Sequence, residues 1–410
     1  MKKVKLGEIL DVTRGASLAG KYYSNNGVYI RLTLGNFDYP NGGFKENTSK
    51  DDVYYTGSFD KNFLLKKGDI ITPLTEQVSG LLGETAKIPE DDKYIQSGDI
   101  GLIKPNEEIV DKNYLYYLIS SSMIKKQLDA AAQQTKIRHT SPDKIKDCIA
   151  WIPELKEQKK ISNLLDKINS MIKLNENMIL QLNKTLESIY NSWFIQYNIP
   201  TNKYSASDMI YNNDIKKEIP KEWAVENLYY IADFINGLAC QKHRPKNDEY
   251  LPVIKIREMH SGIDDKTEKV KKDIDSKYII NDEDILFSWS ATLEVMKWYG
   301  GKAGLNQHIF KVVPKYGSTF VFMTLSNYIN NFIKIALSRK TTMGHITTEH
   351  IKQSKIVVPP KEIIDSFELK VNKINKLILN AQKENLELNN LKRKITTLLI
   401  NGQLKIKEVE

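Results

Sequence analysis

The chain has 410 residues, of which 41% are hydrophobic, 27% charged and 9% aromatic, and it carries a formal net charge of +9. Such a length predicts about two to three domains, each large enough for its own core. No apolar run approaches the roughly 18 residues of a membrane span, and Met1-Lys2-Lys3-Val4-Lys5-Leu6-Gly7-Glu8 lacks the apolar segment of a secretion signal, so a cytoplasmic protein is expected.

In chain order, short strands and turns come first. Leu6-Gly7-Glu8-Ile9 and Val28-Tyr29-Ile30-Arg31-Leu32 read as strands, separated by Gly27 and followed by Pro40-Asn41-Gly42-Gly43. Leu65 to Ile71 reads as a turn feeding a buried strand, Thr72 to Gly83 as a polar glycine-rich loop, and Ile100 to Ile103 as another strand. A helical segment is predicted from Asn113 to Ala132, then a basic, amide-rich loop from Gln133 to His139, before Ile149 to Pro153 closes the unit.

A long helix follows, ended by Pro200. Its apolar positions form two heptad series: Ile161, Ile168, Asn175, Leu182, Ile189 and Leu165, Ile172, Ile179, Leu186, Trp193. The pattern returns 206 residues later as Phe367, Ile374, Ala381, Leu388, Ile395 and Val371, Ile378, Asn385, Lys392, Leu399, with Asn401-Gly402 as its stop. Lys392 is the break in the second seam. Laid antiparallel, the two stretches pair residues whose numbers sum to 560, which sets Ile161 on Leu399, Trp193 on Phe367 and Asn175 on Asn385. Sliding by one heptad would bury an Asn against aliphatic carbon at a cost of about 1 to 3 kcal/mol, so the Asn pair selects the register.

Between the helices the first unit is repeated. Leu228 to Gly237 parallels Leu6 to Gly15, Val253 to Ile256 parallels Tyr29 to Leu32, Asn281 to Leu286 parallels Lys66 to Ile71, and Ile356 to Pro359 parallels Ile149 to Pro153. The fold class is therefore α+β: two related mixed α/β domains, 1–153 and 203–359, separated by long helices at 154–199 and 360–404 that form an antiparallel coiled coil.

Catalytic motifs are missing from the sequence. There is no glycine-rich phosphate loop, no His-Glu-x-x-His and no Asn/Asp-Pro-Pro-aromatic tetrapeptide. Pro142-Asp143 with Glu157-Gln158-Lys159 matches a metal-dependent nuclease pattern, but that chemistry needs its carboxylates on neighbouring strands, and Glu157 opens a helix. Cys148 and Cys240, like His243, His308, His345 and His350, have no partners at metal-ligand spacing and read as reduced core or loop residues. A chain without catalysis or metal is expected; a coiled-coil assembly protein with accessory domains is a further alternative.

Binding chemistry is better represented. Equivalent loops of the two repeats carry side chains that read base edges or neutralise phosphates. In the first domain these are Thr72, Thr75, Gln77, Ser79, Gln133, Gln134, Lys136, Arg138 and His139. In the second they are Gln241, Lys242, His243, Arg244, Ser288, Trp289, Ser290, Lys297, Arg339, Lys340, Thr341, Thr342 and His345.

Several short stretches also stand in a telling order: Lys5 to Ile9; Trp151-Ile152-Pro153 with Glu157-Gln158; Ile219-Pro220-Lys221-Glu222-Trp223; Asn306-Gln307-His308-Ile309; Pro359-Pro360; and Leu398 to Leu404. Together they resemble the specificity (S) subunit of type I restriction-modification systems over essentially the whole chain. Glu362-Ile363 departs from the Glu-Gln with which the family's second helix usually opens. The resemblance implies two target recognition domains, each reading half of a split DNA site. It also implies two modification (methyltransferase) subunits docked on the helix pair and restriction (endonuclease/translocase) subunits beyond them. S-adenosylmethionine, ATP and Mg would then be bound by those partners and no cofactor by this chain. About 40 helical residues span roughly 60 Å, between one and two turns of B-DNA, which suits a bipartite site with an unread spacer.

Overall fold

The computed structural model describes residues 1–407 except 40, 41, 49, 77–79, 133–137, 201–208 and 339–344. It divides into two compact units, Met1–Met171 with Leu388–Glu410, and Ile172–Glu387, so each long helix gives one part to each unit. No helix of the described residues is long and apolar enough to cross a membrane.

In the first unit Lys2–Lys5 pairs antiparallel with Ile149–Ile152, which brings the start of the domain to its end. Leu6–Glu8 is a single 3₁₀ turn and not a strand; the Glu8 carboxylate accepts the Lys5 amide at 3.1 Å and closes the turn. A four-stranded antiparallel sheet then runs in the order Leu10–Arg14, Ile100–Pro105, Ile70–Pro73, Ala86–Lys87. A second small sheet has the order Tyr23–Ser24, Tyr54–Tyr55, Tyr29–Arg31, Tyr94–Ile95, the last pair parallel. The predicted helix from Asn113 to Ala132 is two helices, Lys112–Ile119 and Ser122–Ala131. Each starts at its own polar residue, Asp111 capping the Tyr114 amide at 2.8 Å and Ser121 preceding the second.

The second unit repeats the closing strand pair and the main sheet of this plan. Ala224–Glu226 pairs with Ile356–Val358. The main sheet runs Ala232–Asn236, Ile309–Pro314, Ile285–Ser288, Glu294–Lys297, and the smaller one runs Lys269–Lys271, Tyr250–Ile254, Ala303–Leu305, Ile279–Ile280, again with one parallel pair. Even the turn before the buried strand is duplicated. Asp69 accepts the Lys66 amide and Asp284 the Asn281 amide, each at 2.8 Å, with Gly68 and Glu283 both at positive φ. Elements that were not expected include a hairpin of Met209–Asn212 with Lys217–Pro220 and a 21-residue helix, Ser318–Ser338.

The first long helix is regular α-helix over Leu155–Tyr190 and ends in one wide π turn, Asn191–Ile195. It therefore stops before Pro200, and Tyr197 already has a positive φ of 60°. Adjacent residues on an α-helix point about 100° apart, yet Trp193 and Phe194 are both 4% exposed. The wider turn lets both enter one aromatic cluster, where Phe367 lies 5.8 Å from Trp193 and 4.9 Å from Phe194. The second long helix, Lys361–Ile400, ends at Gly402 with φ 70°.

Within the second unit, Asn175 Nδ2 donates to Asn385 Oδ1 at 3.0 Å and to Glu384 Oε2 at 3.0 Å, and Asn385 Nδ2 donates to the Ile172 carbonyl at 3.4 Å. Since 175 pairs with 385 and 193 with 367, the helices run antiparallel there. Within the first unit the seam holds Ile161, Leu165, Ile168 and Leu399, all at most 5% exposed. Leu391 is 47% exposed and does not rotate in to replace Lys392. Instead the positive charge of Lys392 acts on half-buried Glu84, which is also ion-paired with Lys125.

The start of the first helix is tied to its domain by Gln158, 1% exposed, which accepts the Asp111 amide at 2.9 Å and donates to the carbonyls of Ile109 and Pro153. At the same depth of the repeat, 206 residues on, stands Ile364, also fully buried. The second helix thus opens on apolar packing where the first opens on an amide. Cys148 and Cys240 are both free and buried, and burial pushes each thiol up to about 11.

Candidate nucleic-acid interface

Each main sheet ends in the same crossing. In the first unit the Ala16 amide donates to the Gln96 carbonyl at 2.8 Å, and in the second the Leu238 amide donates to the Leu305 carbonyl at 2.8 Å. The residue before each is a glycine, Gly15 and Gly237, where a Cβ would collide with the carbonyls beneath it. The chain then enters a 3₁₀ turn, Gly20–Tyr22 or Cys240–Lys242. In the second unit this turn carries Gln241 and Lys242, followed by His243 and Arg244; His243 is half-buried and the other three are exposed. The equivalent Lys21 and Tyr22 of the first unit went unread in the sequence because the two turns match at no position.

The other predicted positions divide by burial. Thr72 and Ser288 are at 0% exposure, and Thr75 and Ser290 at 6%; they end buried strands or brace the loop, as where Ser288 Oγ donates to the Ser290 carbonyl at 3.2 Å. Their burial removes them from direct contact with a ligand at the surface. Gln77, Ser79, Gln133, Gln134, Lys136, Arg339, Lys340, Thr341 and Thr342 lie outside the described residues.

Arg138 is engaged within the domain. The short strands Thr75–Glu76 and Arg138–His139 pair antiparallel. The Arg138 guanidinium lies 3.2 Å from Glu76 Oε1 and 2.6 Å from Asp129 Oδ1, and it donates to the Asp129 carbonyl at 2.6 Å. Glu76, 1% exposed, uses its other oxygen to accept the Leu81 and Leu82 amides at 2.7 and 3.0 Å. Glu76 therefore ties the Arg138 strand to the segment that opens at Leu81. His139, next to it, is exposed.

In the second unit, Trp289 is half-buried and fixed by its indole N–H, which donates to Asn236 Oδ1 at 3.0 Å. Its ring centroid is 5.6 Å from both His308 and His345, two exposed imidazoles. Gln307 Nε2 lies 3.4 Å from His308 Nε2. An aromatic platform surrounded by imidazole and carboxamide groups can stack on or hydrogen-bond to bases. Gln307 and His308 were visible in the sequence as a motif, but only the pairing of Ser288 with Ile309 in the main sheet brings His308 beside Trp289. Lys297 does not join this group: its Nζ lies 5.6 Å over the Phe322 ring, and burial lowers its pKa against the opposing pull of Glu283 and Glu368.

The nuclease-like pair is used separately. Asp143 pairs with Lys146 at 3.1 Å, while Glu157 accepts the Ile406 amide at 3.4 Å and pairs with Lys160 at 3.8 Å. Among the described residues no three His, Cys, Asp or Glu side chains gather as a metal site.

A family model described as the type I restriction modification DNA specificity domain matches residues 1–184 and 220–398. The specificity subunit of the type I restriction enzyme MjaIX from Methanocaldococcus jannaschii is 25% identical over 325 residues, covering 75% of this chain and 72% of the relative. That of the type I enzyme HindI from Haemophilus influenzae is 22% identical over 410 residues, covering 83% and 87%. The crystal structure of a type I restriction-modification S subunit from M. genitalium superposes with a TM-score of 0.54 at 12% identity, covering 97% of this chain and 96% of that one.

Proposed function

Because the chain belongs to the type I restriction modification DNA specificity family, we propose that it gives a methylating and restricting complex its DNA sequence, each domain reading one half of a bipartite site. The observation that carries this reading is the duplicated crossing, which presents equivalent loops of unlike sequence: Lys21 and Tyr22 in one unit, Gln241 and Lys242 in the other. Like folds with unlike loops read unlike half-sites. The exposed residues Gln241, Lys242, Arg244, His139 and His345, with Trp289, are the members of the predicted set we assign to DNA contact. The chain contributes recognition and no chemistry of its own. Two methyltransferase subunits, dock on the outward faces of the helix pair, supply S-adenosylmethionine chemistry, and restriction subunits supply ATP- and Mg-dependent translocation and cleavage. The helix pair sets the unread spacer between the half-sites.

The test is to co-express the chain with its methyltransferase subunit and map methylated adenines across a genome. A split motif with a constant spacer is the expected result. Methylation that is absent, or scattered without a motif, would refute the reading.

A further inference from the structure

The first unit holds a cleft of about 690 Å³ on the far side of the Gly15 crossing, between the loop that leaves Leu10–Arg14 and the loops at 33–35 and 97–99. None of its residues belongs to the set predicted from sequence. It adjoins the Gly15 crossing, whose counterpart at Gly237 leads to Gln241–Arg244 in the second unit.

Several polar groups of its walls are already in use. Ser97 Oγ donates to the Leu32 carbonyl at 2.6 Å, and Asn47 Nδ2 donates to Thr33 Oγ1 at 2.8 Å. Arg31, 7% exposed, pairs with Asp52 at 3.1 Å, and its Cζ sits over the Tyr23 ring, 3.7 Å from the centroid. Two cations are left over. Arg14 and Lys50 line the cleft, are exposed, and have no ion pair among the described residues. Asp99 is the one carboxylate of the lining.

A cleft whose carboxamide and inner hydroxyls are engaged, and whose remaining side chains are two cations, the Asp99 carboxylate and the exposed Ser17 hydroxyl, keeps a net positive charge and suits phosphate oxygens better than base edges, which are read by paired donors and acceptors held free. We propose that this cleft seats the DNA backbone, with Arg14 and Lys50 each neutralising a phosphate of the half-site bound by the first domain. The proposal rests on the reading of the chain as a DNA specificity subunit. It assigns these two residues to affinity and placement, and leaves base choice to other loops.

The test uses the chain in complex with its methyltransferase subunits, and measures DNA affinity over a salt series for Arg14→Ala, Lys50→Ala and the double variant. Each substitution should weaken cognate and scrambled DNA by the same factor and flatten the plot of log affinity against log salt by about 0.9 per phosphate released. The methylated motif should not change. Arg14→Lys and Lys50→Arg should restore the slope; a loss that persists in them marks a structural role and overturns the proposal. So does an unchanged slope in the alanine variants, or a changed base in the motif. A wild-type complex that yields no split motif would instead sink the underlying functional reading.

Discussion

A single guanidinium shows how far side-chain type can mislead. Arg138 has the donors to read guanine, but its fork is committed to Glu76 and Asp129. Arg138→Ala should leave a buried carboxylate short of its cation and cost about 2 to 3 kcal/mol, measured as a shift in urea denaturation. Adding Glu76→Gln should recover most of that loss. Relaxed preference at one base with unchanged stability would show a base contact instead. Lys392 is the second case, a seam position that serves a domain. Burial holds the Glu84 carboxyl above its usual range, and Lys125 and Lys392 pull it back down. The folded chain therefore binds this proton more tightly than the unfolded chain, so stability is fullest below the unfolded value of about 4.5 and declines as pH rises through the raised one. Lys392→Met removes one compensating charge and lifts Glu84 further. Urea midpoints from mildly acidic to neutral pH should then fall more steeply than in the wild type, and Glu84→Gln should abolish the extra fall.

At the level of elements, legibility followed periodicity. The two long helices could be read because their seams keep seven-residue spacing with few polar interruptions, Asn175 in the first and Asn385 and Lys392 in the second. Asn175→Leu should cost about 1 to 3 kcal/mol in thermal or urea unfolding by stranding the Asn385 amide, and the double Leu variant should regain it. If the single variant is as stable as the wild type, the pair does not select the register. Strands were legible as matched segments in two repeats, with Leu6–Glu8 misread because its apolar ends imitate a strand while Glu8 folds back on Lys5. The helix Ser318–Ser338 escaped because Phe320, Val321, Phe322 and Met323 are consecutive apolar residues, which carry no 3.6-residue signal. The π turn escaped for a related reason: two adjacent aromatic residues share one cluster, and no regular period encodes that.

For the whole molecule, duplication was readable and the site only in part. The repeat pointed to the loops at 241–244 and 289, but burial took Thr72, Thr75, Ser288 and Ser290 out of the contact set, and His308 needed the long-range strand pairing of Ser288 with Ile309 to become a neighbour of Trp289. Exchanging residues 203–359 for the second domain of another family member should change one half of the methylated motif and leave the spacer length alone, as read by adenine mapping. A change in both halves would show that the domains do not read independently.

Asn175 and Asn385 both fall inside Ile172–Glu387, together with the aromatic cluster at Trp193 and Phe367. A stretch of gene inherited between those limits brings its own register with it. Two ancestors with mismatched seams could therefore recombine at 171/172 and 387/388 and still pass on a matched lock, so new sequence specificities can arise by shuffling without each one having to reinvent its alignment.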